Sequence, residues 1–237
     1  MFLPDDERLL KADSISNMSM LGFFAKQSIV RTLRVGDSLM AQGKSDEEWW
    51  YLSCNKPEDF EWFLDKTGKE DRFLAAINDM LLDKVRCKFS CTWTLSCIRF
   101  YLPNETIIPE SSLLISHLSM ADAEHIYSNS NYKIYSSVDY MREQIKQGIG
   151  SAYRQGQTLA GWVLTHDDGA MGMLHVLPNF RKRGIARALV TDLIRKIRNI
   201  GLMPYTYVEP SNTASMELVK SLGFVPDRNV HWVCMNR

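Results

Sequence analysis

The stretch Val176-Leu177-Pro178-Asn179-Phe180-Arg181-Lys182-Arg183-Gly184-Ile185-Ala186 decides how this chain is read. An apolar run with the look of a strand ends at Pro178. A short basic loop follows, with Arg181, Lys182, Arg183 and Gly184 in it, and a helical pattern opens at Ile185. The first turn of a helix has amide N–H groups with no internal acceptor, and the macrodipole adds partial positive charge there. Gly184 has no Cβ, so an anion can come close to the backbone, and the basic side chains add full charges around it. The spacing predicts a seat for a diphosphate-like group.

The elements on either side of this loop can be read outward from it. Downstream, Ile185, Leu189, Leu193 and Ile197 recur on one face of a helix over 185–200, and Gly201 is placed to stop it. Tyr205–Val208 then reads as a strand, Asn212–Leu222 as a helix ended by Gly223, and Val230–Met235 as a last strand. Upstream, strands are predicted over 151–154, 158–165 and 170–176. The last two are joined by His166-Asp167-Asp168-Gly169, a hairpin signal. Before them come a short strand at 113–115, a helix opened by the capping box at Ser119 to Asp122, and a helix from Ser136 or Ser137 to Gln147. The order is β-α-α-β-β-β-α-β-α-β, an α+β domain.

The first half carries no chemical motif. Apolar spacing predicts a helix over 5–27, strands over 28–41 and 49–54, two short helices within 56–82 broken at Thr67-Gly68, and a β-rich stretch over 87–101. Connectors at 103–105 and 109–112 put a domain boundary near Ser111, giving domains 1–111 and 112–237. Trp49-Trp50-Tyr51 and Trp62-Phe63 read as core in preference to a stacking surface. Cys87, Cys91 and Cys97 would share a face on one continuous strand, but their spacing matches no common zinc pattern, so no metal is expected.

Hydrophobic residues make up 45% of the chain and charged residues 24%, both ordinary for a soluble globular protein. The formal net charge is zero, yet residues 1–111 hold 14 basic against 18 acidic residues and residues 112–237 hold 14 against 10. A mildly positive second half suits a small polyanion and is too weak for nucleic acid. The acidic N-terminal stretch has no apolar segment of the secretory kind, no apolar run approaches the ~20 residues a bilayer needs, and five cysteines read as reduced thiols. The expected location is the cytoplasm.

With these elements in place, Arg181-x-x-Gly184-x-Ala186 after a strand resembles the signature of the acyl-CoA-dependent GNAT N-acyltransferases, Arg/Gln-x-x-Gly-x-Gly/Ala. A second signature of that superfamily is similar to Asn212, Ser215 and Leu218 followed by Leu222-Gly223-Phe224. Within it, Trp162-Val163-Leu164, Met171-Gly172-Met173, Leu177-Pro178, Pro204-Tyr205, Trp232 and Cys234 resemble the glycine N-acyltransferase-like group. The likeness covers about residues 113–237. It implies the GNAT acyltransferase fold, a mixed and mainly antiparallel sheet flanked by helices, preceded by a smaller α/β domain that would be a divergent GNAT-like half.

The resemblance implies coenzyme A or acetyl-CoA as co-substrate and a small-molecule amine, such as an amino acid, as acceptor. It implies no nucleic-acid or membrane partner and leaves room for a homodimer. Amides from Arg183 through Gly184 and Ile185 to Ala186 would bind the pyrophosphate, with Arg181, Lys182 and Arg183 adding charge. Backbone groups of the strand, at Leu174 and Val176, would meet the pantetheine arm, with Asn212 and Ser215 beside it. The reaction implied is direct attack of the amine on the thioester, without a covalent enzyme intermediate. A glutamate and a tyrosine that many relatives use are replaced here by Ala170 and Val219. His175, then Glu209 and His231, are the candidate bases, and Tyr207 or Tyr205 could donate to the thiolate. Strand alternation places His175 on the side opposite Ala170 unless a bulge intervenes. Two other readings are a coenzyme-binding sensor without turnover and a peptide or protein N-acetyltransferase.

Overall fold

The computed structural model describes residues 2–237, and two compact units emerge: residues 2–99 with 227–237, and residues 100–226. The division is not the two consecutive stretches 1–111 and 112–237, because the C-terminal strand packs inside the first unit.

In the first unit, α1 (Pro4–Ala12) opens on a proline, whose missing N–H is not needed there, with Asp5, Asp6 and Glu7 in its first turn. A turn closed by Asp13 separates it from α2 (Met18–Phe24), so the single helix expected over 5–27 is two. Strand β1 (Ile29–Val35) turns at Gly36, whose φ of +55° only glycine adopts readily, into β2 (Ser38–Lys44). The single strand expected over 28–41 is therefore a hairpin. Then come β3 (Glu48–Ser53), α3 (Pro57–Lys66), β4 (Phe73–Ile77), α4 (Asp79–Lys88) and β5 (Ser90–Tyr101). Phe73–Ile77 was expected within a second helix. It is instead a buried strand parallel to β3, with Trp50 opposite Leu74. Cys87 ends in α4, so the three cysteines do not share one strand. Trp49, Trp50, Tyr51 and Phe63 are core residues, as expected, whereas Trp62 is exposed.

The C-terminal strand β10 (Val225–Asn236) lies between β4 and β5, giving the order β1-β2-β3-β4-β10-β5 in this unit. A buried ion pair ties it in. Arg99, 1% exposed, binds Asp227 and also donates to Ser19 Oγ and to the carbonyls of Ile15 and Ser16.

The second unit contains α5 (Ala123–Ser128), α6 (Val138–Gln147), β6 (Gly150–Gln155), β7 (Thr158–Thr165), β8 (Met171–Val176), α7 (Ile185–Asn199), β9 (Tyr205–Val208) and α8 (Thr213–Ser221). Its strand order is β9-β8-β7-β6. The strand expected at 113–115 is reduced to a single bridge between Ser116 and Ala152. Period-2 alternation divides β7 between two layers. Trp162 and Leu164 pack with Ala123 and Ile126 of α5 and Met141 of α6. On the other face a Cβ at Gly161 would lie 3.1 Å from Leu189 and 3.2 Å from Ile185, so α7 sits there closely. All four apolar residues expected to bury one face of α7 do so.

Counted in chain order, both halves read α-α-β-β-β-α-β-α-β, and in both the third and fourth strands run parallel. The two halves thus repeat one order of elements. Its connection from β3 to α3 is only Cys54-Asn55-Lys56, with Pro57 opening the helix. No glycine-opened basic loop exists at that position.

Candidate active site

The loop between β8 and α7 forms locally. Pro178–Phe180 makes one tight turn, Lys182 has φ +60°, and Gly184 caps α7 in the left-handed region at φ +77°. No heavy atom lies within 4 Å of where a Cβ on Gly184 would stand, so the helix start is open. The first turn of α7 has no acidic residue, and Ile185 buries the helix directly behind the glycine. Arg181 Nε donates to the Val176 carbonyl at 3.0 Å. Arg183 Nη2 donates to the Asn179 carbonyl at 2.9 Å and lies over the Phe180 ring. Arg181, Lys182 and Arg183 stay exposed, so three positive charges surround amides that have no acceptor within the helix.

At its other end β8 meets β9. The recorded parallel pair is Met171 with Thr206, and Thr206 Oγ1 adds a 2.7 Å hydrogen bond to the Met171 carbonyl. Beyond that pair, towards the Gly184 end, no further register pair joins the two strands among the described residues. Residues 172–176 are half-buried.

Strand β8 also carries a bulge. Leu164 pairs with Gly172 and Trp162 with His175, so three residues of β8 span two of β7, and Met173 has φ +53°. The expectation from simple alternation is corrected: the extra residue returns His175 to the face of Gly172, where Trp162 and Leu164 also point. The imidazole lies flat on Trp162, centroids 4.8 Å apart at 17°, with His125 at the edge of the same indole. Burial, with the nearby Arg181 and His125, pushes the His175 pKa below its ordinary 6.5.

The other candidates are committed to partners. Glu209, just past β9, accepts a hydrogen bond from the Tyr132 hydroxyl. Tyr207 donates to Asp168 Oδ2 at 2.6 Å, Tyr205 donates to the Asp168 carbonyl, and Asp168 Oδ1 accepts the Ala170 N–H at 3.0 Å. His231 belongs to the first unit, buried on β10 between Ser96 and Asp79, and is not part of this arrangement. Asn212 caps α8 through Oδ1 to the Ser215 N–H at 3.1 Å, which places both at the start of that helix. Ala170 and Val219 are buried apolar residues.

Sequence reasoning passed over two residues here. His166, in the hairpin after β7, packs on Gly172, and Tyr140 of α6 reaches its ring. The available signal was Gly172 itself, since a glycine inside a strand often marks a close approach. Among the described residues no group of three or more His, Cys, Asp or Glu could hold a metal ion, and no helix is long and apolar enough to cross a membrane.

A glycine-capped basic helix start after a strand that pairs in parallel with the next one fits the GNAT acetyltransferase fold. Comparison with solved structures agrees. A Drosophila protein superposes with a TM-score of 0.80 at 15% identity, covering 98% of this chain and 95% of that one. A GCN5-related N-acetyltransferase from Kribbella flavida gives 0.62 at 14% identity, covering 94% and 95%. An acetyltransferase from the GNAT family from Colwellia psychrerythraea gives 0.56 at 13%, covering 100% and 98%. At these identities the likeness is one of fold. Residues 148–233, from just before β6 into β10, match the family model described as FR47-like protein. No curated protein matches the sequence.

Proposed function

We propose that this chain is an acyl-CoA-dependent N-acyltransferase that moves an acetyl or short acyl group from coenzyme A to a primary amine. The acceptor class the sequence resemblance favours is a small molecule such as an amino acid. One observation carries the reading: the open helix start at Gly184 and the end of the β8–β9 pairing at Met171 and Thr206 lie along the same strand. From Met171 to Val176 the strand spans roughly 17 Å at about 3.3 Å per residue. A diphosphate at Gly184 would therefore lead its extended arm along β8 beyond that pair, where the arm's amides pair with β8 at Leu174 and Val176 as a missing strand would.

In this reading the amides of Arg183 to Ala186 hold the diphosphate, Arg181 to Arg183 neutralise it, and α8, capped by Asn212, flanks the arm. Backbone N–H groups beside the Met173 bulge polarise the thioester carbonyl, the preorganised contribution that dominates much acyl transfer. His175 faces the acceptor side with Trp162.

The test is thiol release from acetyl-CoA across a panel of primary amines, run beside a binding titration of the coenzyme. Amine-dependent release supports the enzyme. Binding with no release for any amine would assign the fold to coenzyme sensing. No binding at millimolar concentration overturns both readings.

A further inference from the structure

We infer that the first unit holds a binding site of its own, for a small zwitterion of the free amino acid kind, in a polar cavity where β3 and β4 end. The cavity measures about 190 Å³, and every residue lining it belongs to that unit. The parallel register of β3 and β4 stops at Tyr51 with Ala75, and Ser53 and Ala76, just beyond, form part of the wall. Open α/β sheets bind small ligands outside the carboxyl ends of parallel strands, in the crevice between the loops that leave there.

Backbone geometry marks the same place. Ala76 has φ +53°, a conformation that costs a residue with a Cβ and persists only where the surroundings impose it. It lies where β4 spans Leu74 to Ile77 while β10 spans Val233 to His231, so one extra residue of β4 interrupts the ladder. Such bulges gather beside binding sites because they take backbone out of regular pairing.

Polar groups of the wall are left partly unmet. Asn17 is 6% exposed and stands at the N-cap of α2, yet its side chain does not cap that helix. Its Nδ2 donates to the Leu10 carbonyl at 3.1 Å, and among the described residues no donor reaches Oδ1. Asn78 spends Oδ1 on the Leu81 N–H at 3.0 Å and keeps its Nδ2 hydrogens. Arg228 gives Nε to Asp227 and Nη2 to Ser16 Oγ, which leaves Nη1. Asp37, in the turn between β1 and β2, makes no hydrogen bond or ion pair among the described residues.

These remaining groups define the ligand. Arg99, also in the wall, is neutralised by Asp227. Hydrogen bonds from Ser16, with Arg228 and Arg99 nearby, hold the Asp13 carboxyl below the ordinary carboxylate value, so it is charged at neutral pH. The open charges are thus one guanidinium edge and two carboxylates. A ligand carboxylate would meet Arg228 Nη1, and a ligand ammonium would meet Asp37 and the Asn17 oxygen. A dicarboxylate or a phosphate would face two aspartates of its own sign. Size narrows the class further. The volume equals roughly six waters at about 30 Å³ each. It falls short of the ~300–1,000 Å³ of pockets that take drug-sized ligands, which leaves no room for a coenzyme. Among the described residues no group of three or more His, Cys, Asp or Glu could hold a metal ion here.

The site stands apart from the acyl-transfer reading, and its test runs without coenzyme A. The full chain is titrated calorimetrically with each of the common α-amino acids, and the binder is mapped by backbone amide chemical shifts. At least one is expected to bind at millimolar concentration or below and to shift Ser53, Asn78 and Arg228. Asp37→Asn removes a carboxylate that the fold does not use, and should weaken binding about tenfold or more at unchanged melting temperature. Ser53→Trp, which fills the cavity, should abolish it. The matching decarboxylated amine and the N-acetylated amino acid should each bind about tenfold or more weakly than the zwitterion. No binding by any amino acid, shifts confined to the second unit, or an affinity unchanged in Asp37→Asn overturns the site. An amine that binds as tightly as its amino acid overturns the zwitterion.

Discussion

Thr206 donates its hydroxyl hydrogen to the Met171 carbonyl oxygen at 2.7 Å, at the register position where β8 and β9 pair. The bond pins the point at which the two strands pair, and both residues are buried. Thr206→Val keeps the shape and removes the donor, leaving a buried carbonyl with one acceptor site unmet. The expected cost is about 1–2 kcal/mol in a urea unfolding curve. A change in unfolding free energy below a tenth of that size would show that the strands are held together by other means.

Gly184 sits at φ +77° with open space in front of it. Gly184→Ala should cost roughly 1–2 kcal/mol from the left-handed backbone alone. Gly184→Glu carries the same strain and also places a carboxylate where the diphosphate is proposed to sit. Calorimetric titration with acetyl-CoA is expected to show at least a tenfold weaker affinity for Glu than for Ala, at equal melting temperature. Equal affinities would remove the diphosphate from this helix start.

His175 is buried enough that its pKa falls below the unfolded value of 6.5, with Arg181 and His125 adding to the effect. The unfolded chain then binds more protons than the folded one as pH falls through that range. The neutral-ring contribution is fully present above about pH 6.5 and is lost as pH drops towards the folded pKa. Urea midpoints at pH 7.5 and 5.5 check this. His175→Phe, which keeps a flat ring on Trp162 and cannot titrate, should lose less stability on acidification than the parent. A larger loss in the variant would contradict the sign.

Arg99 holds the first unit together from inside. Its guanidinium reaches the Asp227 carboxylate, Ser19 Oγ and the Ile15 and Ser16 carbonyls, so β5, β10 and the turn between α1 and α2 share one charge. Arg99→Leu leaves Asp227 with Arg228 alone and takes a charged donor from the Ile15 and Ser16 carbonyls. A loss of about 3–5 kcal/mol is expected from equilibrium unfolding. Asp227→Asn should cost less, because Arg99 keeps its carbonyl partners.

Much of the second unit was legible because its signals are local. Helix 185–199 follows from apolar residues at helical spacing, Tyr205–Val208 from a short β-rich run, and the hairpin at His166–Gly169 from its Asp-Gly step. The open seat at Gly184 needed only a strand, a glycine and a helix in that order. The first unit was harder. Phe73–Ile77 is a five-residue apolar run whose identity as strand or helix is settled by the neighbours it buries against, here Trp49 to Tyr51 of β3. Gly36 split a predicted strand into a hairpin that its flanking residues did not announce.

The sequence by itself determined the α+β order and the basic, glycine-opened helix start, because capping, periodicity and backbone freedom act over a few residues. Tertiary structure decided the rest. Nothing in Met171-Gly172-Met173-Leu174-His175-Val176 says which residue will go unpaired; that depends on the register against β7, and it turns His175 to the face it occupies. Nor could composition show that Gly172 is small because a histidine six residues earlier lies on it, or that β10 packs between β4 and β5. Pairings between distant segments are selected by what they bury together, and no local pattern carries that information.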